Sequence, residues 1–420
     1  MKKINLLALL FLALAFGFTA CDDTDVDPEV DNGDDNDGVT VVTENISEDV
    51  TWNSETVYQL GGRIFVLEGA TLTIEPGTII KGEAGTGTNA TALVVARGGK
   101  LMAEGTADAP IIFTTVADEI EPGMIASPNL DPDIDGLWGG LIVLGNAPIS
   151  TPDGVAQIEG IPPSDTNGLY GGGNSADPAD NSGVLKYISI RHGGANIGEG
   201  NEINGLTLGG VGTGTVIENI EIIANQDDGI EPFGGTVNVT NLLVWNSYDD
   251  SFDCDQDYLG TIDNFIGILG TDSDHAMELD GPEGAKDEGG YTLRNGSIKG
   301  YLEATGGEYF DLRDGVSVTI ENVYFFNFKS DSDVELDDEG SVANYISGAT
   351  VLNNLQFNVS HLEEGNRTIA DIFNDTTGSG AFDNITEGEA SIVTTPTTGA
   401  DKSAFAGWTW ADANGELADF

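Results

Sequence analysis

Basic side chains are scarce: 15 Lys and Arg stand against 71 Asp and Glu in 420 residues, a formal net charge of −56. Binding nucleic acid needs a basic face to neutralise phosphates, so nucleic acid is excluded as a partner. Two cysteines, Cys21 and Cys254, are too few for a disulfide framework. The three histidines, His192, His275 and His361, are too dispersed for a tetrahedral metal centre, and each reads as an ordinary surface or turn residue. Beyond residue 38 no stretch keeps a 3.6-residue apolar period over ten residues, so amphipathic helices are not expected. The run Gly82-Glu-Ala-Gly-Thr-Gly87 lacks the lysine of a phosphate loop and reads as a turn. What is abundant is acid and glycine. The 58 glycines follow no Gly-X-Y period, which excludes collagen, and the 39% of hydrophobic residues suffices for a core.

The chain opens with Lys2 and Lys3, an apolar run from Leu6 to Phe16, and then Phe18-Thr19-Ala20-Cys21. So short an apolar run with small residues before the break is an export signal and not a membrane span. Its ending resembles the lipobox of bacterial lipoproteins, with Phe18 at a position usually held by Leu. That resemblance implies lipidation of Cys21 and anchorage in the outer membrane of a Gram-negative envelope. Residues 22–38 are rich in Asp and contain no aromatic residue. Such a run repels itself and stays solvated, so it serves as a tether. It resembles the surface-export stretch of some Gram-negative lipoproteins, which implies exposure at the cell surface. Its acids do not have the spacing of an EF-hand calcium loop.

From Val39 onward short β-branched runs alternate with Gly, Asn and Asp turns, the pattern of strands throughout. One unit recurs: Thr215-Val-Ile-Glu-Asn219, Thr236-Val-Asn-Val-Thr-Asn241, Thr261-Ile-Asp-Asn264, Tyr291-Thr-Leu-Arg-Asn295, Val318-Thr-Ile-Glu-Asn322 and Val351-Leu-Asn-Asn354. The steps between the aligned asparagines are 22, 23, 31, 27 and 32 residues. A second strand recurs in phase. In it Ile230, Phe252, Met277, Phe310 and Val334 form one column, and Pro232, Cys254, Leu279, Leu312 and Leu336 form another two residues on. Side chains alternate faces along a strand, so both columns point into the core and Cys254 is a buried hydrophobe. Repeats of this length with stacked asparagines predict an all-β fold, a single right-handed parallel β-helix whose coils stack at about 4.8 Å. A sandwich or propeller would need paired strands of fixed length or a constant period. The expected divisions are 1–20 signal peptide, 21–40 lipidated Cys and acidic linker, 41–400 β-helix, and 401–420 a C-terminal cap over the last rung. Residues 118–135 and 161–182 lack strand patterning and should be excursions from the coil; Gly281–Gly290 should be a turn loop.

The earlier segments Glu68-Gly-Ala-Thr-Leu-Thr-Ile-Glu-Pro-Gly, Leu137-Trp-Gly-Gly-Leu-Ile-Val-Leu-Gly-Asn146 and Val184-Leu-Lys-Tyr-Ile-Ser-Ile-Arg-His-Gly193 resemble bacterial surface proteins of the pectin-lyase-like right-handed β-helix superfamily. The likeness runs from Val57 to Val359. It speaks for the fold and little for function, because that superfamily holds lyases, hydrolases and adhesins.

Between the two inward columns, Glu231, Asp253, Glu278, Asp311 and Glu335 must point outward, with Asp255, Asp280, Arg313 and Asp337 two positions further on. Like charges about 5 Å apart repel by roughly 1 kcal/mol even in bulk water, so something positive should sit among them. Calcium suits, since it takes six to eight oxygen ligands in loose geometry. The expected ligands are Glu231, Asp253, Asp255, Glu278, Asp280, Asp311 and Asp337. The plainer alternative is charge that serves solubility alone. Function then reads as a cell-surface binding module for divalent cations and for glycans or another surface protein. The rival is a polysaccharide lyase or glycoside hydrolase working through Asp249, Asp250, Asp253 and Asp255, or through Asp280, Asp311 and Arg313. The order of motifs that the superfamily's hydrolases use is not found. Trp138, Trp245, Tyr248, Tyr258, Phe233 and Tyr309 are candidates for stacking on sugars.

Overall fold

In the computed structural model the described residues are 38–197, 203–284, 289–362 and 367–420. The signal segment, Cys21, the linker as far as Asp37 and part of the 281–290 loop lie outside them.

The repeating unit is a long strand, a turn, a short strand and a second turn. Val216–Asn225 leads to Ile230–Phe233, Val239–Ser247 to Phe252–Cys254, Thr261–Ile268 to Met277–Asp280, Tyr291–Lys299 to Phe310–Arg313, and Val318–Phe326 to Val334–Leu336. In these units the long strands pair with one another and the short with one another, always in parallel, within sheets of sixteen and ten strands among the described residues. This is a right-handed parallel β-helix. The two inward columns are in register, with Ile230 beside Phe252, Phe252 beside Met277, Cys254 beside Leu279 and Leu279 beside Leu312. All of these side chains are fully buried in one continuous core.

The asparagine repeat marks a bend. Asn219, Asn241, Asn264, Asn295, Asn322 and Asn354 have φ between 54° and 61°. Asn tolerates this left-handed conformation better than a β-branched residue, and it folds each long strand into two segments without breaking the ladder. The amides stack as expected. Asn241 Nδ2 donates to Asn219 Oδ1 (2.9 Å), Asn264 to Asn241 (2.6 Å), Asn322 to Asn295 (3.4 Å) and Asn354 to Asn322 (2.8 Å). The column breaks once, at the 31-residue step, where Asn295 donates to Asp263 Oδ1 (2.8 Å) instead.

Two features depart from the sequence reading. A nine-residue helix, Glu339–Ser347, interrupts the strands; Asp338 caps its start by accepting from the Gly340 and Ser341 amides, and Gly348 ends it at φ 83°. At that length no apolar period can register in the sequence. Residues 401–420 do not cap the last rung. They run back along the flank of the middle coils, where Phe405, Trp408, Trp410 and Leu417 cover Ile223, Leu243, Trp245, Ile266 and Ile268. Those five residues lie on the outward face of the long strands, so the helix buries apolar side chains on both faces of that sheet.

The 118–135 excursion forms as expected, while the second begins earlier than residue 161 and is not free of strands. Residues 118–135 contain no strand, and residues 145–182 carry a small separate antiparallel pair, Ala156–Gln157 with Leu169–Tyr170.

Candidate functional site

The outer face of the short-strand sheet carries the acids. Asp253 lies beside Glu278, Glu278 beside Asp311 and Asp311 beside Glu335, so one carboxylate per rung forms a single stripe. Ile230 pairs with Phe252 and Phe233 with Asp255, which sets Glu231 opposite Asp253. A second acidic column stands in the turn that precedes each short strand. There the Asp250 amide donates to Asp228 Oδ1 (2.9 Å), the His275 amide to Asp250 Oδ1 (2.6 Å) and the Asp333 amide to Glu308 Oε2 (2.6 Å). Backbone hydrogen bonds between rungs thus fix where each turn carboxylate sits.

The stripe faces outward from the coil as expected, yet three of its five acids are buried. Glu231, Asp253 and Asp311 are 7%, 9% and 3% exposed. At the upper end the 145–182 excursion roofs it. Asn204 donates to both Glu231 and Glu159 (3.0 Å to Glu159), and Tyr170 Oη donates to Gln256 (3.0 Å).

Burial of like charges changes the acids' chemistry. The carboxyls of Asp228, Glu231 and Asp253 are pushed well above their ordinary range, first by burial and then by one another and by neighbouring acids. Burial and Asp280 push Asp255 up to about 7. Burial and Asp250 push Glu278 up to about 9, against the pull of Arg313. Burial and Asp337 raise Asp311 to about 7. Burial alone would lower His275, but its hydrogen bond to Asp250 and the surrounding acids lift it to about 10.

The two halves of the stripe are neutralised differently. In the lower half Arg313 contacts Glu278, lies 2.7 Å from Asp280 and approaches Asp311 at 4.0 Å. His275 Nδ1 lies 3.0 Å from Asp250 and 3.7 Å from Glu278. In the upper half the charges acting most strongly on Asp228, Glu231 and Asp253 are all negative. These three each place an oxygen within 4.8 Å of the others'. Asp253 Oδ1 and Asn204 Oδ1 are buried there without a hydrogen-bond partner.

Of the seven expected ligands, Glu231 and Asp253 come together with Asp228, and Asp311 and Asp337 with Glu335; Glu278 joins Asp250 and His275. Asp255 and Asp280 fall in none of these groups. The Gln256 amide caps Asp255 at 2.5 Å, and Arg313 occupies Asp280. Asp228, Asp250 and His275 were not foreseen as ligands, although the acid pairs before each strand carried the signal. His275 is no ordinary turn residue, and His192 is fully buried, its Nδ1 2.5 Å from the Ile134 carbonyl oxygen. Of the six aromatics considered for sugar stacking, Tyr248 alone is exposed; the other five are buried in the cores.

The fold and the repeat agree with the comparison to known families. The pectate-lyase-like β-helix domain matches residues 44–411, and the chain belongs to that family. No curated protein and no solved structure matches it significantly.

Proposed function

We propose that the protein is a lipid-anchored surface β-helix that works as a binding module, holding a divalent cation on its acidic stripe and contacting glycans or another surface component. The cation site is the triad Asp228, Glu231 and Asp253. The observation that carries it is the contrast within the stripe: the lower half has Arg313 and His275 among its acids, whereas the charges acting most strongly on the buried upper triad are all negative. Three carboxylates, with the Asn204 amide oxygen beside them, are the hard oxygen donors that calcium prefers. Binding at a free calcium one hundred times the dissociation constant adds about 2.7 kcal/mol of stability. The full chain should therefore melt higher in calcium than in chelator, and Asp253→Asn should remove the difference. Identical melting curves in the two conditions refute the site. Lipidation at Cys21 is checked by radiolabelled palmitate, which Cys21→Ser should no longer incorporate.

A second reading is favoured by Glu278. An acid held protonated to about 9 beside Arg313 and His275 has the state a general acid needs near neutral pH. On this reading the lower half is the active site of a polysaccharide lyase or glycoside hydrolase. A polysaccharide panel assayed for new chain ends, with Glu278→Gln as control, decides it. No turnover on any member removes the enzyme.

A further inference from the structure

Away from the acidic stripe, the ends of three long strands and their turns line a cavity of about 590 Å3. Its floor is apolar, made by the buried side chains of Trp245, Ile268 and Leu269. Two segments from outside the coils wall it. The 131–135 excursion is held by Asn246 Nδ2, which donates to the Pro132 carbonyl (2.7 Å). The C-terminal strap is held by Lys299 Nζ, 3.1 Å from Glu416 and 2.7 Å from Asp419. Tyr248 and Tyr301 stand at the wall, 51% and 39% exposed, and they are the two large aromatic side chains left exposed among the described residues. Every other ring of that kind packs more deeply, so these two are placed where packing does not require them. They lie two rungs apart, on the order of 10 Å, so a ligand touching both runs along the coil axis and is longer than one ring.

The remaining lining is polar and negative: Asp131, Asp133, Asp135 and Asp272. The cavity's one lysine is already paired with acids. An anion is repelled here; a chain of hydroxyl groups is not, because carboxylates accept strong hydrogen bonds from them. The volume falls within the roughly 300–1,000 Å3 of small-molecule sites. We propose that this cavity binds a short stretch of a neutral, uncharged saccharide, with Tyr248 and Tyr301 stacked on its sugar faces and Asp133, Asp135 and Asp272 accepting from its hydroxyls. Burial and the neighbouring Asp272 and Asp133 raise the Asp135 carboxyl above its ordinary value. The proposal rests on the glycan-contact part of the reading above and gives it a place and a chemistry. It makes no use of the cation.

The test is isothermal titration calorimetry of the full chain, in a detergent without a sugar headgroup, with cellohexaose, mannohexaose, maltohexaose and hexagalacturonate, each in calcium and in chelator. At least one neutral hexaose should bind, equally in both conditions, and hexagalacturonate should not. Tyr248→Ala and Tyr301→Ala should each weaken binding by about tenfold, the loss of one stacked aromatic contact, while leaving the calcium-dependent melting shift of the wild-type chain in place. No binding by any neutral hexaose overturns the proposal, as does preference for hexagalacturonate or indifference to both tyrosine variants. Loss of the calcium shift without loss of saccharide binding would overturn the cation site alone.

Discussion

Arg191 and Glu221 lie 3.8 Å apart on neighbouring rungs with neither side chain exposed. Ser189 links them, donating to Glu221 (2.6 Å) and accepting from Arg191 Nε (2.8 Å). The C-terminal strap closes over the pair: the Ala411 amide donates to Glu221 (3.0 Å), and Trp410 lies with its ring 5.0 Å from the guanidinium. Removing one partner of a buried ion pair leaves a charge that nothing offsets, at a cost of about 3–5 kcal/mol. Arg191→Met and Glu221→Leu should each lower the urea midpoint strongly, and the double variant should be less damaging than either single one. Equal and additive losses would show that the pair is not coupled.

Asn241 sits at φ 58°, donating to Asn219 and accepting from Asn264 at 2.6 Å. Asn241→Ala loses both amide bonds and forces an alanine into the left-handed region, which costs about 1–2 kcal/mol for the backbone alone. Asn241→Gly should recover the backbone part and not the bonds. Chemical denaturation that ranks wild type, Gly and Ala in that order supports the ladder as a stabilising device.

Stability should fall as pH rises. Asp255 and Asp311 titrate at about 7 and Glu278 at about 9 in the folded protein, above ordinary carboxylate values. The folded state therefore binds more protons than the unfolded state from about pH 4 upward, and the slope of stability with pH is negative there. His275, raised to about 10, adds stability that is complete below its ordinary value and is lost through that folded value. Melting temperatures in chelator should drop between pH 5 and 9. Calcium should flatten the curve, because it replaces protons as the neutralising charge on the upper triad.

Arg313 neutralises the lower half, so Arg313→Gln should destabilise the protein in chelator and enlarge the stabilisation that calcium gives. The freed acids Asp280, Glu278 and Asp311 would then compete for the ion. Calorimetry of the variant with and without calcium measures both effects, and an unchanged calcium increment would show that the lower acids take no cation even when stripped of their arginine.

The winding of the coils was legible because it is written in local terms: asparagine at six successive bends, from Asn219 to Asn354, and apolar residues two apart in the five short strands between them. Placing Glu231, Asp253, Glu278, Asp311 and Glu335 on one stripe followed from that register. The burial of the upper end did not, since it depends on the 145–182 excursion folding back over it, and an irregular segment carries no period that says where it lands. The strap was missed for a related reason. Phe405, Trp408 and Trp410 read as apolar residues seeking cover, and the nearest cover in sequence is the last rung. The better clue lay far upstream, in Leu243 and Ile266, which are apolar on the face where a solvated coil would be polar. His275 gives no signal when the histidines are read as a set, because its partners are carboxylates, Asp250 and Glu278.

The strap also sets an order of events. The coils bearing Ile223, Leu243, Trp245 and Ile266 lie far before Phe405 to Leu417 in the chain, so they wind before the strap docks on them. Until the strap docks, the rod carries an uncovered apolar side strip, and Glu221 lacks the Ala411 amide donor. The strap is what covers that strip. Removal of residues 401–420 should therefore leave the winding intact and bare that strip, so that the shortened rod associates along its flank.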